Sequence, residues 1–211
     1  MSTAPKLTPS GLAALLCARI CHDLVSPVGA LGTAVEILDD DGNADMHEDA
    51  LELVKSSSRR AAAKLKYLRL AFGAGGSAPG VIGAEEIRGL VTDMFADAKA
   101  QVLFDFHTDG LEKSRARILL NLVMLGVQAV PRGGEVRVAT TPDAVVVTAE
   151  GPRARLDETV EAAMRGRPPE HGFDGRSIQP FYTSMMAREA GGQIGARAEG
   201  ETVVFRADIP A

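Results

Sequence analysis

A chain of 211 residues with 45% hydrophobic and 24% charged residues has a globular composition, long enough for one domain or two small ones. Its formal net charge of −5 offers no footing for a nucleic-acid or anionic-membrane partner. The N-terminal MSTAPKLTPS lacks the basic-then-apolar order of a signal peptide, and no stretch approaches the roughly 18 uninterrupted apolar residues of a membrane span, so a cytoplasmic protein is expected.

The first helix is expected to begin near Thr8-Pro9-Ser10, a cap followed by an early proline. Leu16, Ile20, Leu24, Pro27, Leu31, Ala34, Val35 and Leu38 then follow a helical period and form a continuous apolar stripe. Cys17 and Cys21 lie four apart on this helix, where a disulfide would distort it; a reducing compartment is the simpler reading. The run Asp39-Asp40-Asp41-Gly42-Asn43 ends the helix and turns the chain. A second helix carries Leu51, Val54, Ser58, Ala61, Leu65, Leu68 and Phe72, spaced alternately by three and four as in a coiled-coil seam. Two antiparallel helices bury such stripes poorly alone, and pairing with a second copy as a four-helix bundle would cover them.

The stretch from Gly73 to Gly80, GAGGSAPG, reads as a linker dividing the chain into residues 1–74 and 81–211. Beyond it, Ala84–Ala100 is expected as a helix, Gln101–His107 as a strand and Ser114–Val130 as a strongly apolar helix. Glu135–Thr140 and Ala144–Glu150 read as strands around the turn Thr141-Pro142-Asp143. Helices over Leu156–Met164 and Ile178–Ala190, and strands over Gln193–Arg197 and Thr202–Ile209, complete the pattern. The mixture predicts an α+β sandwich with helices on one face of a sheet.

His22 falls about 180° around the first helix from Ile20 and Leu24, away from the apolar stripe. Ala18, Val25, Ser26 and Gly29 surround it with small or modestly apolar side chains, a smooth face for another protein to approach. Asp23 can hold one ring nitrogen and leave the other free as a nucleophile for phosphoryl transfer. Arg19, one turn earlier, is expected on the surface, where it would steer an acidic partner or serve as an ordinary charge. An isolated exposed histidine has a surface role by default. Here Pro27 in mid-helix, costing about 3 kcal/mol, demands a reason. A metal site of Cys17, Cys21 and His22 would be incomplete and divergent. His47, His107 and His171 are read as structural or surface residues.

The string His22-Asp23-Leu24-Val25-Ser26-Pro27 resembles the phosphoacceptor motif of sensor histidine kinases, His-Glu/Asp-Leu-x-x-Pro. The hairpin is similar to their dimerisation and phosphotransfer domain, and the second half to their ATP-binding domain. The rhythm from Ile118 to Asn121 and on through Pro131-Arg132-Gly133-Gly134-Glu135-Val136, the strand Val145–Pro152, and Ala190-Gly191-Gly192 carry that second likeness. The nucleotide chemistry departs from it. Leu125 stands where a kinase has its Mg2+-binding asparagine, and Ala149-Glu150-Gly151-Pro152-Arg153 replaces the adenine-reading Asp-x-Gly-x-Gly. Ser177-Ile178-Gln179-Pro180 replaces the glycine-rich phosphate cradle, and Pro180 has no N–H to present to an anion.

With Arg19–Ala30 and Gln179-Pro180-Phe181-Tyr182-Thr183 added, the whole chain from about Ser10 resembles the ChpT-type histidine phosphotransferases of alphaproteobacteria. The resemblance implies an α+β protein whose helical hairpin forms a dimeric four-helix bundle, joined to a degenerate histidine-kinase ATPase-like α/β sandwich. It also implies phosphoryl shuttling through His22, oriented by Asp23, from the receiver of a CckA-like hybrid kinase to CtrA-like and CpdR-like response regulators in cell-cycle control. Arg19, Val25, Ser26 and Gly29 are the expected partner contacts. No cofactor or metal is expected in this chain, since Mg2+ would sit in the partner receiver. A divergent kinase that labels His22 from ATP and a non-catalytic scaffold are the competing readings, and Leu125, Ala149 and Pro180 argue against the first.

Overall fold

The computed structural model describes residues 7–73, 79–106, 108–170 and 172–210, so His107, His171 and most of the expected linker lie outside the described residues. Helix α1 spans Pro9–Asp39, and the Thr8 hydroxyl accepts the Gly11 N–H at 3.1 Å as its cap. The Asp40 carboxylate accepts from Gly42 N–H at 2.9 Å and from the Asn43 amide at 2.7 Å, turning the chain into a short 3-10 segment, Asp41–Met46. Helix α2 follows over His47–Ala71, with Glu48 and Asp49 placed favourably in its first turn.

The two helices meet through small side chains. Pro27 and Ala34 on α1 and Ala50 and Ser57 on α2 are buried. Of the expected seam, Leu68 is buried within the chain, whereas Leu51, Ser58 and Leu65 are exposed. The hairpin contact uses the residues immediately before them in sequence, which turns the larger stripe about 100° outward. Val28 and Val35 on α1 are likewise exposed. By length and composition α1 is apolar enough to cross a membrane. In this fold it lies along α2, with Arg19, His22 and Asp23 in its middle third.

In the second half, β1 (Val81–Gly83) pairs antiparallel with β3 (Gly110–Glu112), a ribbon too short for the alternation pattern to reveal. Helix α3 covers Ala84–Met94, ending six residues before the expected Ala100. Ala100 instead opens β2 (Ala100–Asp105) by pairing with Gly134 in the ladder. Helix α4 (Lys113–Ala129) precedes the hairpin of β4 (Gly134–Thr141) and β5 (Ala144–Glu150). Helices α5 (Glu158–Met164) and α6 (Ile178–Glu189) and strands β6 (Gln193–Glu199) and β7 (Thr202–Asp208) complete it. The five-stranded sheet has the order β2-β4-β5-β7-β6, with only β2 and β4 parallel.

Helix α4 is the centre of the core, with Ile118, Leu119, Leu120, Leu122 and Val123 fully buried. Gly126 lets it sit close on the sheet: a Cβ there would lie 2.7 Å from a Val147 methyl and 3.0 Å from one of Val136. The same core takes in the end of α2, through Tyr67, Leu68 and Ala71. Tyr67 donates its hydroxyl to the Leu120 carbonyl at 2.6 Å and packs edge-on against Phe95, and burial pushes its phenol well above the ordinary tyrosine pKa. The helical hairpin is thereby fixed on α4, which brings the middle of α1 alongside the second half.

Candidate functional site

His22 projects from the middle of α1 with its side chain 85% exposed. Its Nδ1 lies 3.4 Å from Asp23 Oδ1. With the proton on Nδ1 the ring donates to that carboxylate, and Nε2 keeps the free lone pair. The other oxygen, Asp23 Oδ2, accepts from Arg19 Nε at 3.0 Å, one helical turn away on the same face. Arg19 corrects its own expectation. It is 8% exposed, and its Nη1 donates to the Gly175 carbonyl at 3.0 Å, so it is an internal brace and not a free surface charge. Val25, at 67% exposure, together with Ser26 and Gly29 shares the open face with His22, and nothing stands within 4 Å of where a Gly29 side chain would begin.

The main chain at this point is unusual because Pro27 has no N–H for the carbonyl four residues back, that of Asp23. Lys64 of α2 supplies the missing donor, its ammonium 2.9 Å from the Asp23 carbonyl oxygen. The proline therefore opens a backbone acceptor beside the histidine, and the partner helix fills it.

Across from α1 stands the loop that carries Gly175. Asp174 organises it: Oδ1 accepts the Ser177 hydroxyl at 2.6 Å, the Ser177 N–H at 2.8 Å and the Arg176 N–H at 3.0 Å. The Ser177 hydroxyl bond, with those N–H groups and the Arg176 charge, outweighs partial burial and lowers the Asp174 pKa below its ordinary value. Between this loop, α1 and the end of α4 lies a cleft of about 560 Å³. Arg19, His22 and Asp23 form one wall, Leu125 and Ala129 with Phe205 the apolar floor, and Arg155 and Arg176 line it with Asp157 and Asp174.

The positions that depart from the kinase pattern are filled by packing. Leu125 and Ala149 are buried in the core. Gln179 is fully buried, its amide donating to both the main-chain and side-chain oxygens of Asn121 at 3.0 Å. Asn121 in turn donates to the carbonyls of Ala71 and Arg117, each at 2.9 Å, tying α6 to α4 and α4 to α2. Pro180 is buried in the first turn of α6. Arg153 takes a left-handed backbone with φ of 60°.

The structure thus brings His22, Asp23 and Arg19 together as one constellation and leaves Val25, Ser26 and Gly29 beside it. Lys64, Asp174, Gly175, Arg155 and Arg176 are the site residues that the sequence reading missed. Pro27 alone held a signal, since a mid-helix proline announces an orphan carbonyl. Cys17 and Cys21 are free and exposed, and among the described residues no group of three or more His, Cys, Asp or Glu is arranged to hold a metal ion.

Comparison with known proteins shows the family. The histidine phosphotransferase C-terminal domain matches residues 84–202. Protein phosphotransferase ChpT of Brucella abortus is 39% identical over 99% of this chain and 100% of its own length. A solved bacterial phosphotransferase superposes with a TM-score of 0.84, at 36% identity, over 98% of this chain and 100% of the other. The kinase AdeS of Acinetobacter baumannii gives 0.47 at 16% identity, over 90% of this chain and 97% of that one. A relative matched over its full length and the domain match over the sheet-bearing half both place the chain in one group: it belongs to the histidine phosphotransferase family, of the ChpT type.

Proposed function

We propose that His22 accepts a phosphoryl group from an aspartate of one receiver domain and passes it to an aspartate of another, with no use of ATP. The observation that carries this reading is the exposed imidazole whose Nδ1 faces the Asp23 carboxylate, leaving Nε2 free to attack. In the first transfer an N–P bond forms at Nε2 as the acyl P–O bond of the donor receiver breaks, and the electron pair returns to that receiver's carboxylate. In the second the N–P bond breaks as the acceptor carboxylate attacks, and its electron pair returns to Nε2. Asp23 counters the positive charge that develops on the ring. A divalent cation held by the receiver would supply the charge balance for the moving group, so this chain needs to provide only a nucleophile, its orienting carboxylate and a docking face.

Gln179 and Pro180 support the exclusion of ATP, because buried side chains occupy the space a phosphate cradle requires. The outward stripe supports a homodimer. Leu51 and Leu65 on α2 and Val28 and Val35 on α1 are exposed apolar side chains that a second copy would cover in a four-helix bundle. On this reading residues 1–74 act as the dimerisation and phosphotransfer unit, and residues 81–211 as a degenerate ATPase-like unit that supports it. The partners are then receivers of the CckA-like, CtrA-like and CpdR-like kinds, met in the cytoplasm in cell-cycle signalling, with Val25, Ser26 and Gly29 in the contact.

The test is phosphotransfer profiling against receiver domains. Label should reach wild type from a phosphorylated receiver and not from ATP. Label from ATP alone would make the protein a kinase instead.

A further inference from the structure

We infer that Arg19 is a positioning residue for phosphoryl transfer: it splits the two oxygens of Asp23 so that one is reserved for the His22 ring, and it is itself anchored by the Gly175 carbonyl. The inference rests on the proposed role of His22. A carboxylate beside an exposed imidazole is a poor orienter by itself, because it rotates about its last torsion and exchanges both oxygens with water. Here Oδ2 is bound to Arg19 Nε at 3.0 Å, which leaves Oδ1 pointing toward His22 Nδ1 at 3.4 Å. The guanidinium has a rigid planar fork, so fixing its Nη1 on the Gly175 carbonyl at 3.0 Å fixes the direction of Nε as well. Gly175 is held by the Asp174 turn, whose carboxylate receives two N–H groups and a hydroxyl. The chain of support runs from that loop through Arg19 and Asp23 to the ring.

The loop immediately precedes Ser177-Ile178-Gln179-Pro180, the segment that stands where a kinase has its phosphate cradle. Although its nucleotide positions are filled, the second half still contributes to the site, because its loop provides the carbonyl on which the orientation of His22 depends. Arg19 is buried enough that this contact is not traded for water, and a partner approaching His22 does not meet it first.

Arg19→Met, which keeps the apolar stem, and Arg19→Lys separate this role from packing and from docking. Two readouts on the full-length protein are needed. Nitrogen-15 NMR of histidine-labelled protein at about pH 8.5, where imidazoles are neutral, reads the tautomer of His22, its signal assigned by comparison with His22→Ala. Wild type should carry the proton on Nδ1, and Arg19→Met should shift toward an Nε2-protonated mixture. Single-turnover transfer from a receiver domain that labels wild type, phosphorylated on its aspartate with acetyl phosphate, should slow by about tenfold or more at saturating receiver in Arg19→Met, and recover in part in Arg19→Lys. Unchanged tautomer and rate in Arg19→Met overturn the inference, as does a loss confined to receiver affinity. If wild type itself takes no label from any phosphorylated receiver, the proposed function has failed, whereas an unlabelled Arg19→Met beside a labelled wild type with the expected tautomer shift supports the positioning role alone.

Discussion

Lys64 donates to the main-chain carbonyl of Asp23 at 2.9 Å, the acceptor that the missing N–H of Pro27 leaves open. A helix interrupted by proline normally turns such a carbonyl to solvent. Here the second helix of the hairpin takes it, so the turn that bears His22 is cross-linked to α2 by a charge-assisted bond.

Lys64 and Pro27 should therefore be coupled. Lys64→Met orphans the carbonyl and should cost about 1–2 kcal/mol in urea unfolding. Pro27→Ala restores the helical bond and should stabilise by about 1 kcal/mol net of the lost ring burial, while lowering phosphotransfer. In the Pro27→Ala background Lys64→Met should cost far less, because the new N–H holds the carbonyl. Additive costs in this double-mutant cycle would contradict the coupling.

The outward stripe makes the dimer testable. Leu65→Glu places a charge on the exposed α2 face without touching the hairpin contact at Ala50 and Ser57. Light scattering should show a dimer for wild type at micromolar concentration and a monomer for the variant, with helicity retained. A wild-type monomer removes the four-helix bundle.

Asn121 and Gln179 predict two results together. Millimolar ATP with Mg2+ should leave Tm unchanged, although a ligand at a hundredfold excess over its Kd would add about 2.7 kcal/mol. Asn121→Ala should destabilise by about 2 kcal/mol, since it strips partners from the Ala71 carbonyl and the buried Gln179 amide. A nucleotide-dependent rise in Tm is the contrary outcome.

Asp174 gives a pH signature of known sign. Its folded pKa is lowered, so its hydrogen bonds add stability above the ordinary carboxylate value of 3.8 and lose it as pH falls through the depressed one. Asp174→Asn should be less stable than wild type at neutral pH, and the gap should close in acid. A gap independent of pH assigns the loop to packing.

Most of this architecture was legible in the sequence, for reasons that differ by element. Caps and breakers announced α1: Thr8 before Pro9 at one end, three aspartates and Gly42 at the other. The β4–β5 hairpin was marked by alternation around Pro142. The α3 boundary was not, because residues up to Ala100 keep a helical composition while the ladder with Gly134 claims Ala100. Which part of the α2 stripe the hairpin itself buries was not legible either, for a related reason. Small residues at Ala50 and Ser57 let the helices approach closely and leave the leucines outside, a choice that only the three-dimensional contact decides. At the site, His22 and Asp23 were visible as neighbours on one helix. Gly175 lies 156 positions from Arg19, and no local spacing could have joined them.

The most direct measurement is label transfer from a phosphorylated receiver domain to the full-length protein, run beside His22→Ala and beside ATP with Mg2+ alone. Phosphoryl shuttling through His22 predicts acid-labile label on wild type from the receiver, none on His22→Ala, and none from ATP. Label retained on His22→Ala, or wild type unlabelled by every receiver, would contradict it.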